Sequence, residues 1–191
     1  MAVTIRDVHK HDLDSIIALN NNAGTTILPI DDAGMRWFDE HARYFRVAEV
    51  DGQLAGFLVG ITDGTEYASP NYRWFSEHYP KFAYIDRIVV ARPYRGLGLG
   101  RVFYADMTSF AEVRVPMLTC EVFLEPRDDV SLLFHGTYGF QEVGQQVMDK
   151  VDRRVSLLAM ELPSFAFVRE TYLDVPGGAL PDVAWLQERQ R

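Results

Sequence analysis

The sequence predicts an α/β fold, a mixed central sheet of about six to seven strands flanked by helices. Three observations carry this expectation. Apolar residues recur in strand-like runs at some places and at helical spacing at others. Two apolar-rich runs, residues 44–50 and 53–61, flank Asp51-Gly52, a dipeptide that favours a tight antiparallel hairpin. Further on, the apolar run through Ile88, Val89 and Val90 enters a turn with alternate glycines, and a helical period follows at once. Hairpins and crossovers together imply strands of both directions. The run of elements is too short and too rich in hairpins for a doubly wound dinucleotide fold.

In chain order, residues 3–6 read as a short first strand. Residues 12–20 follow as a helix with Leu13, Ile16, Ile17 and Asn20 on one face, stopped at Gly24. Asp31 and Asp32 open a second helix, their carboxylates favourable at its positive end. The hairpin comes next. Residues 62–82 mix Gly64, Pro70 and Pro80 with Tyr67, Tyr72, Trp74, Phe75 and Tyr79, which is too irregular for one element and too aromatic for a linker. They read as a long ordered loop, either a substrate wall shared with Trp37 and Phe38 or a packing cluster. Residues 83–91 form a buried strand, and 98–112 a helix with Leu99, Val102, Phe103, Met107 and Phe110 inward. A strand at 117–124, a short helix at 131–138 and strands at 143–148 and 154–162 complete the order. A tail from Pro163 carries Phe165, Phe167, Tyr172 and Trp185 and ends in an expected helix at 182–189.

The segment Arg95-Gly96-Leu97-Gly98-Leu99-Gly100-Arg101 is the most informative. Glycines let the backbone approach a ligand, and the first helical N–H groups lack internal partners, so a strand–turn–helix of this kind suits a diphosphate. Arg95 or Arg101 can add charge. A P-loop would need Lys-Ser or Lys-Thr after its last glycine, where Arg101-Val102 stands. A dinucleotide fingerprint needs a different glycine spacing. Arg95, Gly98 and Gly100 instead fit Arg/Gln-x-x-Gly-x-Gly/Ala. Downstream, Asp128, Ser131, Phe134, His135, Gly139 and Phe140 stand at the positions of a second pattern, Asn-x-x-Ser/Ala-x-x-Phe-Tyr-x-x-x-Gly-Phe. In both motifs and in element order over residues 3–162, the chain resembles the GNAT superfamily of acetyl-CoA-dependent N-acetyltransferases. Residues 163–191 form an extension beyond the resemblance, packing on the domain or on a partner chain.

That resemblance implies a fourth and fifth strand that splay apart around the pantetheine arm of acetyl-CoA. Backbone groups at Ile88, Val89 and Val90 would meet the arm and the thioester carbonyl. Amides from Gly96 through Arg101 would hold the pyrophosphate, and Asp128, Ser131 and Phe134 would lie beside the cofactor. The acetyl group would pass directly to a primary amine, on a small molecule or an amino terminus. Two departures stand out. His135 occupies the place of a tyrosine that often protonates the leaving thiolate, so it is either the acid in its stead or a packing residue. Asp128 replaces an asparagine and lacks the amide's donor. For the base, Asp86 is the first candidate, sharing a face with Ile88 and Val90 by strand alternation; Glu66 and Glu121 are others. A coenzyme A-binding sensor without turnover is the alternative class, and a longer acyl donor stays open.

The formal charge of −8 disfavours nucleic-acid binding and is compatible with a cationic amine. No apolar run approaches the roughly 20 residues that span a bilayer, so no membrane partner is expected. The start lacks a basic region followed by an apolar stretch, and the single cysteine, Cys120, makes no internal disulfide. The expectation is a cytoplasmic protein, with a homodimer one open assembly. Cys120 reads as a small buried residue, and His9 and His11 as surface residues with no metal site.

Overall fold

The computed structural model describes residues 1–125, 127–148 and 152–182. Seven strands form one sheet: β1 (Val3–Asp7), β2 (Tyr44–Val50), β3 (Gln53–Thr62), β4 (Ala83–Val90), β5 (Met117–Glu125), β6 (Gln141–Met148) and β7 (Arg153–Glu161). Their order is β1-β2-β3-β4-β5-β7-β6. Every neighbouring pair is antiparallel except β4–β5, which is parallel. The helices are α1 (Leu13–Asn21), α2 (Asp32–His41), α3 (Pro70–His78), α4 (Leu99–Ala111), α5 (Asp129–Thr137) and α6 (Ser164–Val168).

Both sheet faces are covered, which is why β2 to β5 read as nearly continuous apolar runs. Ile16 of α1, Met35 and Phe38 of α2, and Tyr72 and Phe75 of α3 pack on Phe45, Val47, Phe57 and Val59. On the opposite face, Phe103, Tyr104, Met107 and Phe110 of α4 pack on Leu58, Ile85, Leu118 and Cys120. Val102, expected inward, is 39% exposed, and its neighbour Tyr104 is fully buried in its stead. Two glycines admit this close packing: a Cβ at Gly56 would stand 2.6 Å from the Val89 carbonyl oxygen, and one at Gly60 2.8 Å from Met107.

The hairpin at Asp51-Gly52 forms as expected, both residues with positive φ. The aromatic excursion is not all loop. It contains α3, whose start was written in Ser69-Pro70: the Ser69 hydroxyl accepts from the Tyr72 N–H, and Pro70 occupies the first turn. After β7 the chain turns back through α6 and buries Phe165, while Phe167 stays exposed. The helix expected at 182–189, and Trp185 with it, lies outside the described residues apart from Asp182.

One expectation about β4 is overturned. Val59 pairs with Arg87 and Gly60 with Ile85, so Asp86 is the extra residue of a β-bulge. Alternation breaks there. Asp86 bonds Tyr67, Arg87 lies over Phe38, and both look to the face of α1–α3. Ile88 packs on the α4 side. Asp86 therefore does not share a face with Ile88 and Val90.

Candidate functional site

The parallel pairing of β4 with β5 lasts for three residue pairs, Ala83–Ile85 against Leu118–Cys120. Beyond Ile85 and Cys120 the strands part, and a cleft of about 400 Å³ opens between them. Ile88, Val89 and Val90 line one wall, Glu121, Val122 and Phe123 the other.

At the C-terminal end of β4 the cleft meets the glycine turn. Gly96 and Gly98 have φ of +79° and +84°, closed to most side chains, with nothing within 4 Å of where a Cβ would project. Gly98 caps α4, so the amides of Leu99, Gly100 and Arg101 emerge at the helix start without intrahelical acceptors. Leu99 is 1% exposed and anchors the turn, while Leu97 and Arg101 are exposed. Arg95 also lines the cleft, but its guanidinium donates to the carbonyls of Val90 (3.0 Å) and Ala23 (3.2 Å), tying the turn to β4. An open, amide-lined turn at a helix start fits a diphosphate, and the cleft behind it fits an extended arm.

α5 closes the same cleft. Asp128, Ser131 and His135 line it, whereas Phe134 stands behind, edge-on to Tyr104 with centroids 4.9 Å apart and against Gly100. The helix cap is Asp128: its Oδ1 accepts from the Ser131 N–H at 3.0 Å. His135 is 4% exposed. Its Nδ1 lies 2.7 Å from the Ser131 carbonyl, which can only accept, so Nδ1 carries the proton. Nε2 then accepts from the Tyr104 hydroxyl at 2.5 Å. Burial lowers the imidazole pKa, keeping the ring neutral. Both ring nitrogens are thus engaged within the protein. Tyr104, absent from the sequence reading, lay one residue from a predicted inward position.

At the opposite end the cleft holds two carboxyls. Asp86 accepts from Tyr67 Oη at 2.6 Å and from Arg87 Nε at 2.7 Å, and is sealed to 5% exposure. Glu121 accepts from Tyr84 Oη at 2.5 Å, with Asn71 beside it. Burial, reinforced by the charge of Asp86, pushes its carboxyl up to about 7, against the lowering effect of the Tyr84 and Asn71 hydrogen bonds. Burial also raises the Cys120 thiol far above its ordinary range and leaves it inert. Glu66 is elsewhere. It is exposed, on the rim of a second cavity of about 340 Å³ formed by Ile30, Trp37, Phe38 and Ala68. Tyr67 and Arg87 line both cavities.

The model of the acetyltransferase (GNAT) family matches residues 13–140, two thirds of the chain. The chain belongs to the GNAT family. Solved structures agree on the GNAT fold. Ard1 from Thermoplasma volcanium superposes with a TM-score of 0.69 at 18% identity, covering 85% of this chain and 99% of that one. Arabidopsis thaliana Naa50, in complex with the bisubstrate analogue CoA-Ac-MVNAL, gives 0.63 at 16% over 84% and 99%. Salmonella typhimurium yncA, solved with its cofactor acetyl-CoA, gives 0.63 at 18% over 96% and 100%. Comparison with curated proteins returns no match. Among the described residues no helix is long and apolar enough to cross a membrane. His9 and His11, read from the sequence as surface residues with no metal site, stand with Asp12 so that one ligand atom from each lies within 4.8 Å of the others. Arg6 occupies both Asp12 oxygens and touches His9 Nδ1, which opposes a metal cation there.

Proposed function

We propose that the protein transfers the acetyl group of acetyl-CoA to a primary amine by direct attack. The observation that carries this is the parting of β4 from β5 after three residue pairs, opening a cleft that ends on the glycine turn. The thioester supplies an activated acyl group, and the protein binds, orients and moves protons. Amides of Gly96 to Arg101 hold the diphosphate at the start of α4, where the helix dipole is positive. The free edge of β4 at Ile88–Val90 offers backbone groups to the arm and to the thioester carbonyl oxygen. Asp128 and Ser131 flank the arm from α5.

Glu121 is the base. Its carboxyl, poised at about 7, is ionised often enough at neutral pH to relieve an ammonium of its proton, with Asp86 beside it to favour that cation. Asp86 does not serve as the base, because its carboxylate is committed to Tyr67 and Arg87. His135 buttresses α5 against α4 through Tyr104, and no protein acid is assigned to the leaving sulfur. Glu66 has its part, if any, at the second cavity. The acceptor is a small amine or an amino terminus.

Calorimetric titration with acetyl-CoA, beside a Gly98→Trp variant, tests the reading. Binding by the wild type that the variant loses, followed by thiol release with an amine, supports it. Binding without thiol release from any amine would leave a coenzyme A sensor, and no binding at millimolar concentration would refute the cleft assignment.

A further inference from the structure

Resting on that reading of the site, we propose that the acceptor is an α-amino acid with an apolar or aromatic side chain, its carboxylate held by Arg87. Arg87 is a largely buried cation, its side chain 10% exposed, at the junction of the two cavities. Its guanidinium is fixed on three sides. Nε donates to Asp86 Oδ2 at 2.7 Å, Nη1 donates to the fully buried Asn20 Oδ1 at 3.0 Å, and the Phe38 ring lies 5.0 Å from the guanidinium carbon. Tyr67 Oη, bonded to the other oxygen of Asp86, braces the arrangement.

Nη2 is different. Among the described residues it has no hydrogen-bond partner, yet no buried side-chain nitrogen or oxygen is left unsatisfied, so Nη2 is open to solvent. A rigidly held guanidinium with Nη2 unpaired can give a carboxylate oxygen a charged hydrogen bond from a fixed position, which a flexible lysine would not.

The surroundings define the rest of the molecule. Glu121 and Arg87 line the same cleft, so an ammonium at Glu121 and a carboxylate at Arg87 are assigned to the two ends of one small zwitterion. The side cavity beyond Arg87 is walled by Ile30, Trp37, Phe38 and Ala68, which suits a leucine- or phenylalanine-sized group. Glu66 on its rim repels an acidic side chain. Asn20, read from the sequence as one member of an otherwise apolar helix stripe, has its place here: it is the acceptor that aims Arg87.

The test uses the full chain. L-Phenylalanine, L-phenylalaninamide and phenethylamine are titrated calorimetrically into the protein saturated with coenzyme A, and the same compounds are assayed for thiol release from acetyl-CoA. The free acid is expected to bind and turn over, and the amide and the decarboxylated amine to lose about 10- to 100-fold in affinity and in kcat/KM, the worth of a charged hydrogen-bonded pair. Arg87→Gln should shrink that difference, weakening the acid more than the amide or the amine. Equal or better binding of the amide or the amine overturns the proposal, as does failure of all three to bind the coenzyme A complex. If Arg87→Gln does not fold, the wild-type comparison decides alone. Failure of acetyl-CoA itself to bind would instead remove the underlying acetyl-transfer reading.

Discussion

Glu121→Gln separates the effect of a charge from that of its shape. In the fold the Glu121 carboxyl stands at about 7 against an ordinary 4.5, raised first by burial and then by Asp86. Between those values the folded protein keeps a proton that the unfolded chain has released, so this residue's contribution to stability falls as pH rises through the window. Ionising it in the fold therefore costs roughly 3 kcal/mol by pH 8. Glutamine removes that cost. It keeps one acceptor for the Tyr84 hydroxyl and loses the second oxygen, which offsets about 1 kcal/mol. The variant should be about 2 kcal/mol more stable than wild type at pH 8 and within about 1 kcal/mol of it at pH 5. Urea unfolding at the two pH values reads the difference, since all other titrating groups are shared. In the same preparations kcat/KM for an amine should rise through about pH 7 in the wild type and fall by about 10²-fold or more in the variant. Equal unfolding midpoints at both pH values, with an unchanged rate, would refute both the raised carboxyl and its role as base.

Tyr104→Phe keeps the ring that packs on Phe134 and Phe140 but takes the donor from His135 Nε2, leaving that nitrogen buried and unpaired. A loss of about 1–3 kcal/mol is expected, seen as a lower thermal midpoint. A midpoint equal to wild type would mean that the hydroxyl does not bond the imidazole. Gly56→Ala would drive a methyl against the Val89 carbonyl at 2.6 Å and the Phe103 ring at 3.2 Å, forcing β3 from β4. It should cost about 1–3 kcal/mol in urea unfolding and weaken acetyl-CoA binding, because Val89 is a wall of the cleft.

What the sequence made legible was local chemistry. The Asp51-Gly52 turn and the strand–glycine–helix passage depend on residues a few positions apart, and both stand in the structure as read. What escaped depends on neighbours distant in sequence. The bulge that turns Asp86 away from Ile88 exists because β4 must match β3, and no alternation pattern in β4 alone reveals it. Glu121 was legible as one of three candidate bases, and only Tyr84, Asp86 and Asn71 closing around it distinguish it from the others. The setting of Arg87 was not legible, since Asn20, which aims it, lies 67 residues away. The helix α3 is a different kind of miss. Ser69-Pro70 announced it, but the density of aromatic residues after it obscured the period.

The sheet is made of two well-laced antiparallel halves, β1 to β4 and β5 to β7, stitched together by the Ala83–Ile85 and Leu118–Cys120 pairs. Each half is built around a hairpin, β2–β3 in one and β6–β7 in the other, with β1 and β5 joined by longer connections. The stitch must wait until the chain has crossed through α4, because closing a parallel pair needs that long connection first. The join holds only three residue pairs, so it is the stretch of sheet expected to open first under load or denaturant. A molecule pulled by its two ends should come apart there, into two halves that each keep their own lacing.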